Sequence, residues 1–326
     1  MLTLGNLLKY RNKKETLVCI KEMYIFQKKM TQKGMLEDGQ ELSNREEEGQ
    51  RRKDEKETRR EFLSKYRLQD EIGRGGYGIV YAAVRIEDGQ RVAVKKVFKE
   101  ERPTSTDPTP LEVALLEHLQ DVPGVIDLID YFDMKDGLII VMERFGEIDL
   151  WDFITNQGPV PDHLGKSIFK QVVDTVILCL KKGVVHGDIK DENLLLNMDS
   201  MTVKMIDFGS GVFTKGEELK DFQGTDLYSP PEWKLHQVYT PEGSTVWALG
   251  ILLHTLLCGD APPGLDFLTT QDNPLQFSSL DLDPDARNLI QACLTVDPRQ
   301  RISLTQIANN PWLSEAIGRN ICKKNM

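Results

Sequence analysis

The sequence lacks the features of several large protein classes. It contains no CxxC pair, no secretory signal and no internal repeat, and its longest apolar run, Val246 to Cys258, is interrupted by His254. That run is too short to cross a bilayer, so it predicts a buried helix and no membrane span. The few cysteines are scattered, which indicates a reduced intracellular compartment. They are Cys19, Cys179, Cys258, Cys293 and Cys322.

Charge and length narrow the class further. The net charge of −10 argues against a general nucleic-acid-binding protein and favours basic partners. With 326 residues the chain is long enough for two lobes with separate cores. We expect a cytoplasmic monomer, with the nucleus as a second candidate compartment, and we expect no binding of nucleic acid.

The first 64 residues differ from the rest. From Arg45 to Glu61, 14 of 17 residues are charged, seven of each sign. Such a stretch cannot bury an apolar face, so it is either a solvated helix or disordered. The predicted regions are this extension (1–64), a strand-rich lobe (65–143), a helical lobe (144–313) and a short tail (314–326).

Local patterns predict an α+β fold, with an antiparallel sheet and one main helix in the first lobe and a mainly helical second lobe. A hairpin turn is expected at Glu87–Gln90. The predicted strands are Tyr66–Ile72, Ile79–Ile86, Arg91–Phe98, Val125–Phe132 and Leu138–Met142. The predicted helices are Pro110–Gln120, Leu150–Thr155, His163–Lys182, Ser244–Leu257, Pro284–Leu294 and Leu304–Asn309.

A glycine-rich segment lies between the first two predicted strands. Gly73 to Val80 reads GxGxxGxV. Glycine lets the backbone approach phosphate groups closely because no Cβ intervenes. Dinucleotide-binding folds share GxGxxG, but there a helix follows the glycines, whereas here a strand does. Taken alone, the segment is equally well explained as a flexible hairpin.

Lys95 and Glu112 are predicted to form an ion pair. Lys95 lies between apolar neighbours on the third strand and needs a partner, for which phosphate oxygens and a carboxylate are suitable. Glu112 shares a helix face with three leucines, so it needs a cation. The segment 109–112 also matches a capping box, in which Glu112 would bond the backbone of Thr109. We favour the Lys95 pair because no other acid in this helix faces inward.

Two short motifs predict phosphoryl-transfer chemistry. Residues 186–193 read HGDIKDEN, and the DFG motif begins fourteen residues later at Asp207. In this pattern Asp188 accepts or orients the proton of a substrate hydroxyl, and Lys190 neutralises charge on the transferred phosphoryl group. Asn193 and Asp207 hold Mg²⁺ between the phosphates of ATP. Each residue alone is as well explained as a turn former or helix cap, but the ordered set favours catalysis.

Five segments carry a family resemblance: HGDIKDEN at 186–193, IDFGSG at 206–211, YSPPEW at 228–233, VWALGILL at 246–253 and CGD at 258–260. With them, the sequence from about Tyr66 to Leu313 resembles the eukaryotic protein kinase fold, and within it the Pim serine/threonine kinases. Asp-Ile-Lys in the first segment is typical of serine/threonine kinases rather than tyrosine kinases. The resemblance implies a two-lobed α+β fold, ATP and Mg²⁺ as cofactors, and protein substrates with basic residues near the target Ser or Thr.

The same resemblance implies roles for individual residues. Thr225 would contact Asp188 and Lys190, and Glu232 would pair with Arg301 in the large lobe. The implied catalytic residues are Asp188, Lys190, Lys95 and Glu112. The positions that match the ATP pocket are Ile72, Gly73, Gly75, Gly76, Gly78, Val80, Ala93, Lys95, Glu143 and Phe145. The positions that match substrate-binding residues are Thr225 and the acids Asp149, Asp152, Asp191 and Glu192, for which plain solvated charge is the alternative.

Three positions depart from the family pattern. Gly187 replaces the arginine that normally binds a phosphorylated activation loop, so activity without such phosphorylation is expected. An arginine at position 187 is expected to restore the phosphate receiver without improving basal turnover. Thr245 replaces an aspartate, as in Pim kinases. The connector 143–149 is one residue shorter than in Pim kinases and lacks their proline, so Phe145 keeps a backbone N–H that adenine can use.

Two other functions fit parts of the pattern. A kinase-fold scaffold that acts only by binding would have lost Lys95, Asp188 or Asp207, and none is lost. A kinase of small molecules is disfavoured by the Pro-Pro-Glu segment and by Thr225. We therefore expect an ATP-dependent serine/threonine protein kinase, with the scaffold as the alternative.

Overall fold

The computed structural model describes residues 56–75, 78–98, 109–134, 136–146, 148–262, 277 and 282–313. The chain divides into two compact units, 1–57 and 58–326, and the second carries the elements that position the site. Most of the predicted extension and the whole predicted tail lie outside the described residues. Among the described helices, none combines the length and the apolar character that crossing a membrane would require.

A five-stranded antiparallel sheet forms the smaller lobe, as predicted. A helix, α1 (residues 56–65), leads into it, and a second helix, α2 (Leu111–His118), lies between its third and fourth strands in the chain. The strand order is β1-β2-β3-β5-β4, so β3, which carries Lys95, is central. The strands are β1 (Tyr66–Gly75), β2 (Gly78–Arg85), β3 (Arg91–Phe98), β4 (Leu128–Met134) and β5 (Gly137–Glu143).

The two faces of this sheet belong to different apolar clusters, because successive side chains on a strand point to opposite faces. One cluster includes Val92, Val94 and Val141 together with Phe62 of α1. The other face joins the large core that continues into the helical lobe. Phe62 is 3% exposed and its ring lies 5.3 Å from that of Phe132. The packed lobe therefore includes a residue three positions before the predicted boundary at residue 65.

The larger lobe is mainly helical and contains two small sheets. Helix α6 is buried along almost its whole length, as its apolar sequence predicts. The helices are α3 (Leu150–Gln157), α4 (Asp162–Lys181), α5 (Pro231–His236), α6 (Pro241–Cys258), α7 (Pro284–Cys293) and α8 (Leu304–Ala308). The strands are β6 (Ile148–Asp149), β7 (Val184–Val185), β8 (Leu194–Asn197), β9 (Thr202–Met205) and β10 (Val212–Phe213), paired as β6-β8-β9 and β10-β7.

The start of β4 shows where a local pattern misplaces a strand. Val125 was expected to begin it, but Val125 forms a bridge with Met205 of β9, and the Ile126 N–H donates to the Met205 carbonyl at 3.0 Å. The strand itself begins at Leu128. The beginning of this apolar run thus pairs with β9 of the larger lobe, and the rest of it forms β4 of the smaller lobe. The run therefore connects the two lobes.

A buried ion pair fixes the base of the larger lobe. Arg301 donates two hydrogen bonds to the carboxylate of Glu232, at 2.8 and 2.7 Å, as the family resemblance implies. The guanidinium also donates to the carbonyls of Gly243 and Thr295, at 2.8 and 2.9 Å. A buried charge is tolerated when its hydrogen bonds are satisfied in this way. The pair holds α5, which follows the segment that contains Thr225.

Candidate active site

The glycine-rich segment is the hairpin between β1 and β2. Gly78 has a φ of +135°, and a Cβ there would lie 2.1 Å from the Lys96 carbonyl oxygen. Only glycine allows β2 to pass this close to β3. A Cβ at Gly75 would meet nothing within 4 Å, so packing does not explain that glycine. Gly76, another predicted ATP-binding residue, lies outside the described residues.

Apolar side chains surround this hairpin. Ile72, near the end of β1, is 41% exposed, and Val80 and Ala93 are half-buried on the next two strands. Val80 lies opposite Gly73 on one side and opposite Lys95 on the other. Val80, which is predicted to contact the base, and Lys95, the predicted phosphate lysine, are therefore directly opposite each other on neighbouring strands.

Lys95 forms a buried ion cluster with two carboxylates. Its Nζ lies 2.6 Å from Glu112 Oε1 and 2.8 Å from Asp207 Oδ1. Burial alone would lower the pKa of Lys95, but the two carboxylates raise it overall. Burial alone would raise the pKa of Asp207, but the Lys95 cation lowers it overall. Burial raises the pKa of Glu112, and Lys95 opposes that rise.

The start of α2 distinguishes the two interpretations of Glu112. The residue at the capping position is Pro110, which makes no side-chain capping hydrogen bond. Glu112 instead contacts Lys95, which is 17 residues away in the chain. Leu115 and Leu116, on the same helix, are 0% and 1% exposed. The predicted ion pair is therefore present, and the helix begins with Pro110 as its N-cap, one residue after the Thr109 that the capping box assumed.

The Asp188 carboxylate is held by three donors. Oδ1 accepts from the Thr225 backbone N–H at 2.7 Å. Oδ2 accepts from Asn193 Nδ2 at 3.1 Å and lies 3.3 Å from Lys190 Nζ. Asp188 is only 6% exposed. The carboxylate is therefore fixed in direction, as a group that receives a proton from a positioned hydroxyl needs to be.

Lys190 connects the catalytic loop to the segment that precedes α5. Its Nζ donates to Thr225 Oγ1 at 2.8 Å and lies 3.3 Å from Glu192 Oε2. Thr225 thus contacts both Asp188, through its backbone, and Lys190, through its hydroxyl. Burial alone would lower the pKa of Lys190, but Asp188 and Glu192 raise it overall, so the side chain carries its charge.

His186 is a structural member of the site to which the sequence assigned no role. Burial lowers the pKa of its imidazole, which is therefore neutral. Nε2 donates to the Ile206 carbonyl at 2.8 Å, and Nδ1 accepts from the Asp188 N–H, 3.2 Å away. The ring also packs on Phe208 at a centroid distance of 4.5 Å. One neutral imidazole thus joins the catalytic loop to the DFG motif.

Asn193 and Asp207, the predicted Mg²⁺ ligands, offer one amide and one carboxylate. Asn193 Nδ2 also donates to the Asp188 carbonyl at 2.8 Å, which fixes the amide group. Asp207 adopts a left-handed backbone conformation with φ of 60°, and its Oδ1 accepts from the Gly209 N–H at 3.2 Å. Among the described residues no group of three or more His, Cys, Asp or Glu could hold a metal ion. Two oxygen ligands fit Mg²⁺ because it takes its remaining ligands from nucleotide phosphates and water.

Glu143 ends β5, and residues 144–146 connect the lobes. Glu143 Oε1 accepts from the Asp127 N–H at 2.9 Å and forms an ion pair with Lys204 of β9. The Lys204 ammonium also lies over the Phe145 ring, 5.5 Å from its centroid. The two predicted adenine-binding residues, Glu143 and Phe145, are thus held by one lysine that the sequence did not single out.

The four predicted substrate-binding acids occupy two places. Asp191 and Glu192 line a cavity of about 260 Å³ together with Thr225 and Trp151. Asp149 and Asp152, at the start of α3, are not among its lining residues. Asp149 instead caps α3 by accepting the Asp152 N–H at 2.7 Å.

The Asp191 carboxylate is hydrogen-bonded to Tyr228. The tyrosine hydroxyl donates to Asp191 Oδ1 at 3.0 Å. Burial raises the pKa of Asp191, and this hydrogen bond offsets part of the rise. Asp191 is 5% exposed, so it is far less accessible than Glu192, whose side chain is half exposed.

The structure corrects the expectation for position 187. Gly187 has a φ of +82°, and a Cβ there would lie 2.1 Å from the Ser210 carbonyl oxygen. A Cβ at Gly224 would in turn lie 2.3 Å from the Gly187 carbonyl oxygen. We call the contact of Gly187, Ser210 and Gly224 the glycine junction. An arginine at 187 would strain the backbone and collide with Ser210, so it cannot simply add a phosphate receiver.

Thr245, the second position that departs from the family pattern, forms a hydrogen bond within its own helix. Its hydroxyl donates to the Pro241 carbonyl at 2.8 Å, and the residue is 5% exposed. Ser210, by contrast, connects to a later part of the activation segment, by which we mean the stretch between the DFG motif and the Pro-Pro-Glu motif. Its hydroxyl donates to the Gln223 carbonyl at 3.0 Å.

Comparison with known proteins gives a consistent result. The family described as "Protein kinase domain" matches residues 66–313. "Serine/threonine-protein kinase prk-2" of Caenorhabditis elegans is 39% identical over 266 residues, which are 78% of this chain and 59% of that protein. "Serine/threonine-protein kinase pim-2" of Danio rerio is 39% identical over 276 residues, 80% of this chain and 88% of that protein. "NUAK family SNF1-like kinase 1" of Mus musculus is 33% identical over 264 residues, 79% of this chain and 40% of that protein. The chain therefore spans less than two thirds of the nematode and mouse relatives.

Replacement of Lys95 by Met should abolish phosphoryl transfer while the protein still unfolds cooperatively. The variant loses the cation between Glu112 and Asp207, and electrostatic groups of this kind contribute on the order of 100-fold or more to turnover. Glu112 can remain buried by taking up a proton, since burial already raises its pKa. Steady-state turnover and a thermal melt measure the two effects.

Lys96→Met is the matched control for that experiment. Lys96 is the next residue on β3 and lies 4.0 Å from Asp136, away from the cluster. Its variant should keep activity within about twofold, because successive side chains on a strand point to opposite faces of the sheet and Lys96 therefore lies on the face away from Glu112 and Asp207. Retention of more than about a tenth of the turnover in Lys95→Met would contradict the assignment of Lys95.

Replacement of Gly187 by Ala should lower both stability and turnover. A positive φ at a non-glycine residue costs roughly 1–3 kcal/mol, and the new Cβ would also collide with Ser210. Gly216→Ala is the control, because Gly216 has a φ of +96° in the same activation segment but has nothing within 4 Å of its would-be Cβ. Melting temperature and turnover that are equal in the two variants would show that the glycine junction is not close-packed.

Proposed function

The chain belongs to the protein kinase family and is an ATP-dependent serine/threonine protein kinase, and from that premise we propose that it phosphorylates hydroxyls in basic sequence contexts without prior phosphorylation of its activation segment. The observation that carries the proposal is the Asp188 carboxylate, which is held by Thr225, Asn193 and Lys190. His186 joins Asp188 to the segment whose Asp207 pairs with Lys95. Together these contacts define a receiver for a hydroxyl proton next to cations that can bind phosphate oxygens.

In the proposed reaction, the Ser or Thr hydroxyl oxygen of the substrate forms a bond to the γ-phosphorus of ATP while the bond from that phosphorus to the β,γ-bridging oxygen breaks. ADP leaves with the bridging oxygen, and the hydroxyl proton goes to Asp188. Lys190 neutralises negative charge on the phosphoryl group in transfer, and Lys95 binds the phosphates that stay on the nucleotide. Kinases of this family use Mg²⁺ in general, and Asn193 and Asp207 would hold it. The ion would supply further positive charge near the phosphates. Glu112 keeps Lys95 oriented.

Adenine recognition is assigned to the connector between the lobes. In this proposal the Glu143 carbonyl accepts from the adenine amino group, and the Phe145 N–H donates to the ring. Proline at position 145 would remove that donor. The apolar surfaces of Ile72, Val80 and Ala93 would cover the base, and Gly73, Gly75, Gly76 and Gly78 would let the backbone approach the phosphates.

A preference for basic substrates is supported by the charges beside Thr225. Asp191 and Glu192 line the same cavity as Thr225, and the buried Asp191 carboxylate would be stabilised by an incoming cation. The exposed indole of Trp151 in this cavity adds a surface on which a guanidinium can stack. Asp149 and Asp152 would contribute from the start of α3.

Activity without activation-segment phosphorylation is supported by contacts that already fix this segment. β10 pairs with β7, and the Thr214 N–H donates to the Gly183 carbonyl at 2.8 Å. The His118 imidazole at the end of α2 donates to the Lys182 carbonyl at 2.8 Å, which holds the helix that carries Glu112. These contacts and the glycine junction require no phosphate.

A phosphate on Thr214 would meet negative charge. The Thr214 hydroxyl lies 3.4 Å from Glu217 Oε2, and backbone hydrogen bonds lower the pKa of Glu217. Like charges this close repel, and Gly187 offers no side chain to compensate.

The substrate preference predicts a defined response to peptide charge. A peptide with Arg residues before its Ser should be phosphorylated with a KM roughly tenfold lower than the same peptide with those residues replaced by Ala. Partly exposed ion pairs contribute up to about 1 kcal/mol each, and a total of about 1.4 kcal/mol corresponds to a factor of ten. Glu192→Gln should raise the KM for the basic peptide and leave the KM for the Ala peptide unchanged.

The control is Asp174→Asn, an exposed acid on α4 that pairs with Lys170 and not with the cavity. Equal turnover of both peptides by the wild-type enzyme would overturn the basic preference. Faster turnover of a small metabolite than of any peptide would overturn the protein-kinase substrate class.

The regulatory part predicts insensitivity to phosphatase. Protein made in bacteria should be as active after phosphatase treatment as before, within about twofold, because the segment is held without phosphate. Intact-mass measurement must show that the phosphates are gone. A loss of more than about fivefold, or a similar loss in Thr214→Ala, would show that a phosphate on this segment is required.

A further inference from the structure

Lys204 is the central contact of the connector between the lobes. It lies on β9, three residues before Asp207, with its side chain 20% exposed. Its ammonium forms ion pairs with Glu143 and with Asp127 Oδ2, the latter at 3.2 Å, and it lies over the ring of Phe145. No substrate or phosphate role was assigned to it.

Its partner Glu143 has little freedom to move. The Glu143 N–H donates to the Asp127 carbonyl at 3.0 Å, and the Asp127 N–H donates back to Glu143 Oε1 at 2.9 Å. Glu143 is therefore bonded through both its backbone and its side chain. Lys204 then attaches this bonded pair, which belongs to the small lobe, to a strand of the large lobe.

The other end of the connector is fixed by backbone packing. Gly146 has a φ of +58°, and a Cβ there would lie 2.7 Å from the Leu196 carbonyl oxygen of β8. Between this contact and Glu143 stand only Arg144 and Phe145. The Phe145 side chain, packed on the large core and under the Lys204 ammonium, fixes the middle of this short span.

We propose that Lys204 is a positioning residue for nucleotide binding: by holding Glu143 and Phe145 from the side of β9, it sets the direction of the two peptide groups that bind adenine. It acts through these residues and does not itself touch the nucleotide. The inference rests on the proposed role of the connector in adenine recognition. It also gives a physical reason why a connector without proline keeps one geometry. Proline would restrict the backbone by its ring, whereas here Lys204 restricts the connector through an ion pair with Glu143 and a cation–π contact with Phe145.

A base-specific effect on affinity distinguishes positioning from general stability. Lys204→Met should raise the KM for ATP and the dissociation constant of adenosine by the same factor, roughly three- to tenfold, as expected when a partly exposed ion pair is lost. The kcat at saturating ATP, the KM for peptide and the affinity for inorganic triphosphate, which has no base, should each stay within about twofold, because the catalytic groups are untouched. Titration calorimetry and steady-state kinetics on the full chain provide these values.

Three variants serve as controls. Lys204→Arg keeps the charge and the stacking, so it should bind adenosine nearly as the wild type does. In the double variant Lys204→Met, Glu143→Gln, the side chain at position 143 no longer carries a charge that lacks its cation. This variant should show the same loss of adenosine affinity as Lys204→Met alone. Lys170→Met removes an exposed lysine of α4, 2.6 Å from Asp174, and should change none of the constants.

Two results would overturn the inference. Unchanged adenosine affinity in Lys204→Met would show that the connector keeps its direction without the lysine. A fall in kcat with unchanged adenosine affinity would place the effect in catalysis instead. A wild-type protein that binds no adenosine would overturn the proposed adenine site itself, which is a different result from wild-type binding that Lys204→Met leaves intact.

Discussion

The site depends on one buried cation placed between two carboxylates. Lys95 comes from the centre of a sheet, Glu112 from a helix and Asp207 from the loop after β9, and their charged atoms lie 2.6 and 2.8 Å apart from the lysine. A buried charge without partners is costly, so the Lys95 cation is stable in this position only when the two elements that carry its carboxylate partners are in place. The arrangement that binds phosphate is thereby also the arrangement that holds the small lobe, its helix and the DFG motif in register.

Elsewhere in the site and the connector, glycines allow backbone segments to contact each other directly. Gly78 lets β2 approach β3, Gly146 lets the connector approach β8, and Gly187 lets the catalytic loop approach Ser210. In each case a Cβ would lie within 2.7 Å of a carbonyl oxygen, closer than atoms can pack. The neutral ring of His186 adds a bond on either side of the same loop. Side chains such as Asp188 are precise in direction because the backbone that carries them has little room to shift.

The sequence predicted the parts that depend on order and spacing. The five-stranded sheet, the main helices and the Lys95–Glu112 contact follow from periodic patterns and from motifs that occur in a fixed order. The Thr225 contacts were implied by the family resemblance. Contacts between distant residues could not be predicted in this way. Lys204 and Glu143 are 61 residues apart, and neither carries a pattern that selects the other. The strands β6 to β10 are too short for a periodic signal, and the start of β4 was misplaced because Val125 pairs with β9 instead. Gly187 was recognised as a lost side chain, but its φ of +82° is a property of the folded backbone.

That backbone property also limits which residues the chain can accept at position 187. A single codon change can turn glycine into arginine, yet at position 187 the new side chain would meet the Ser210 carbonyl before it could meet a phosphate. The loop would first have to leave its left-handed conformation, and the Gly224 segment, which packs on the Gly187 carbonyl, would have to retreat with it. An arginine at position 187 would therefore require accompanying shifts at Ser210 and Gly224. A cation that binds a phosphate on the neighbouring segment would more readily come from another position, because the backbone contacts at Gly187 leave no room for a side chain.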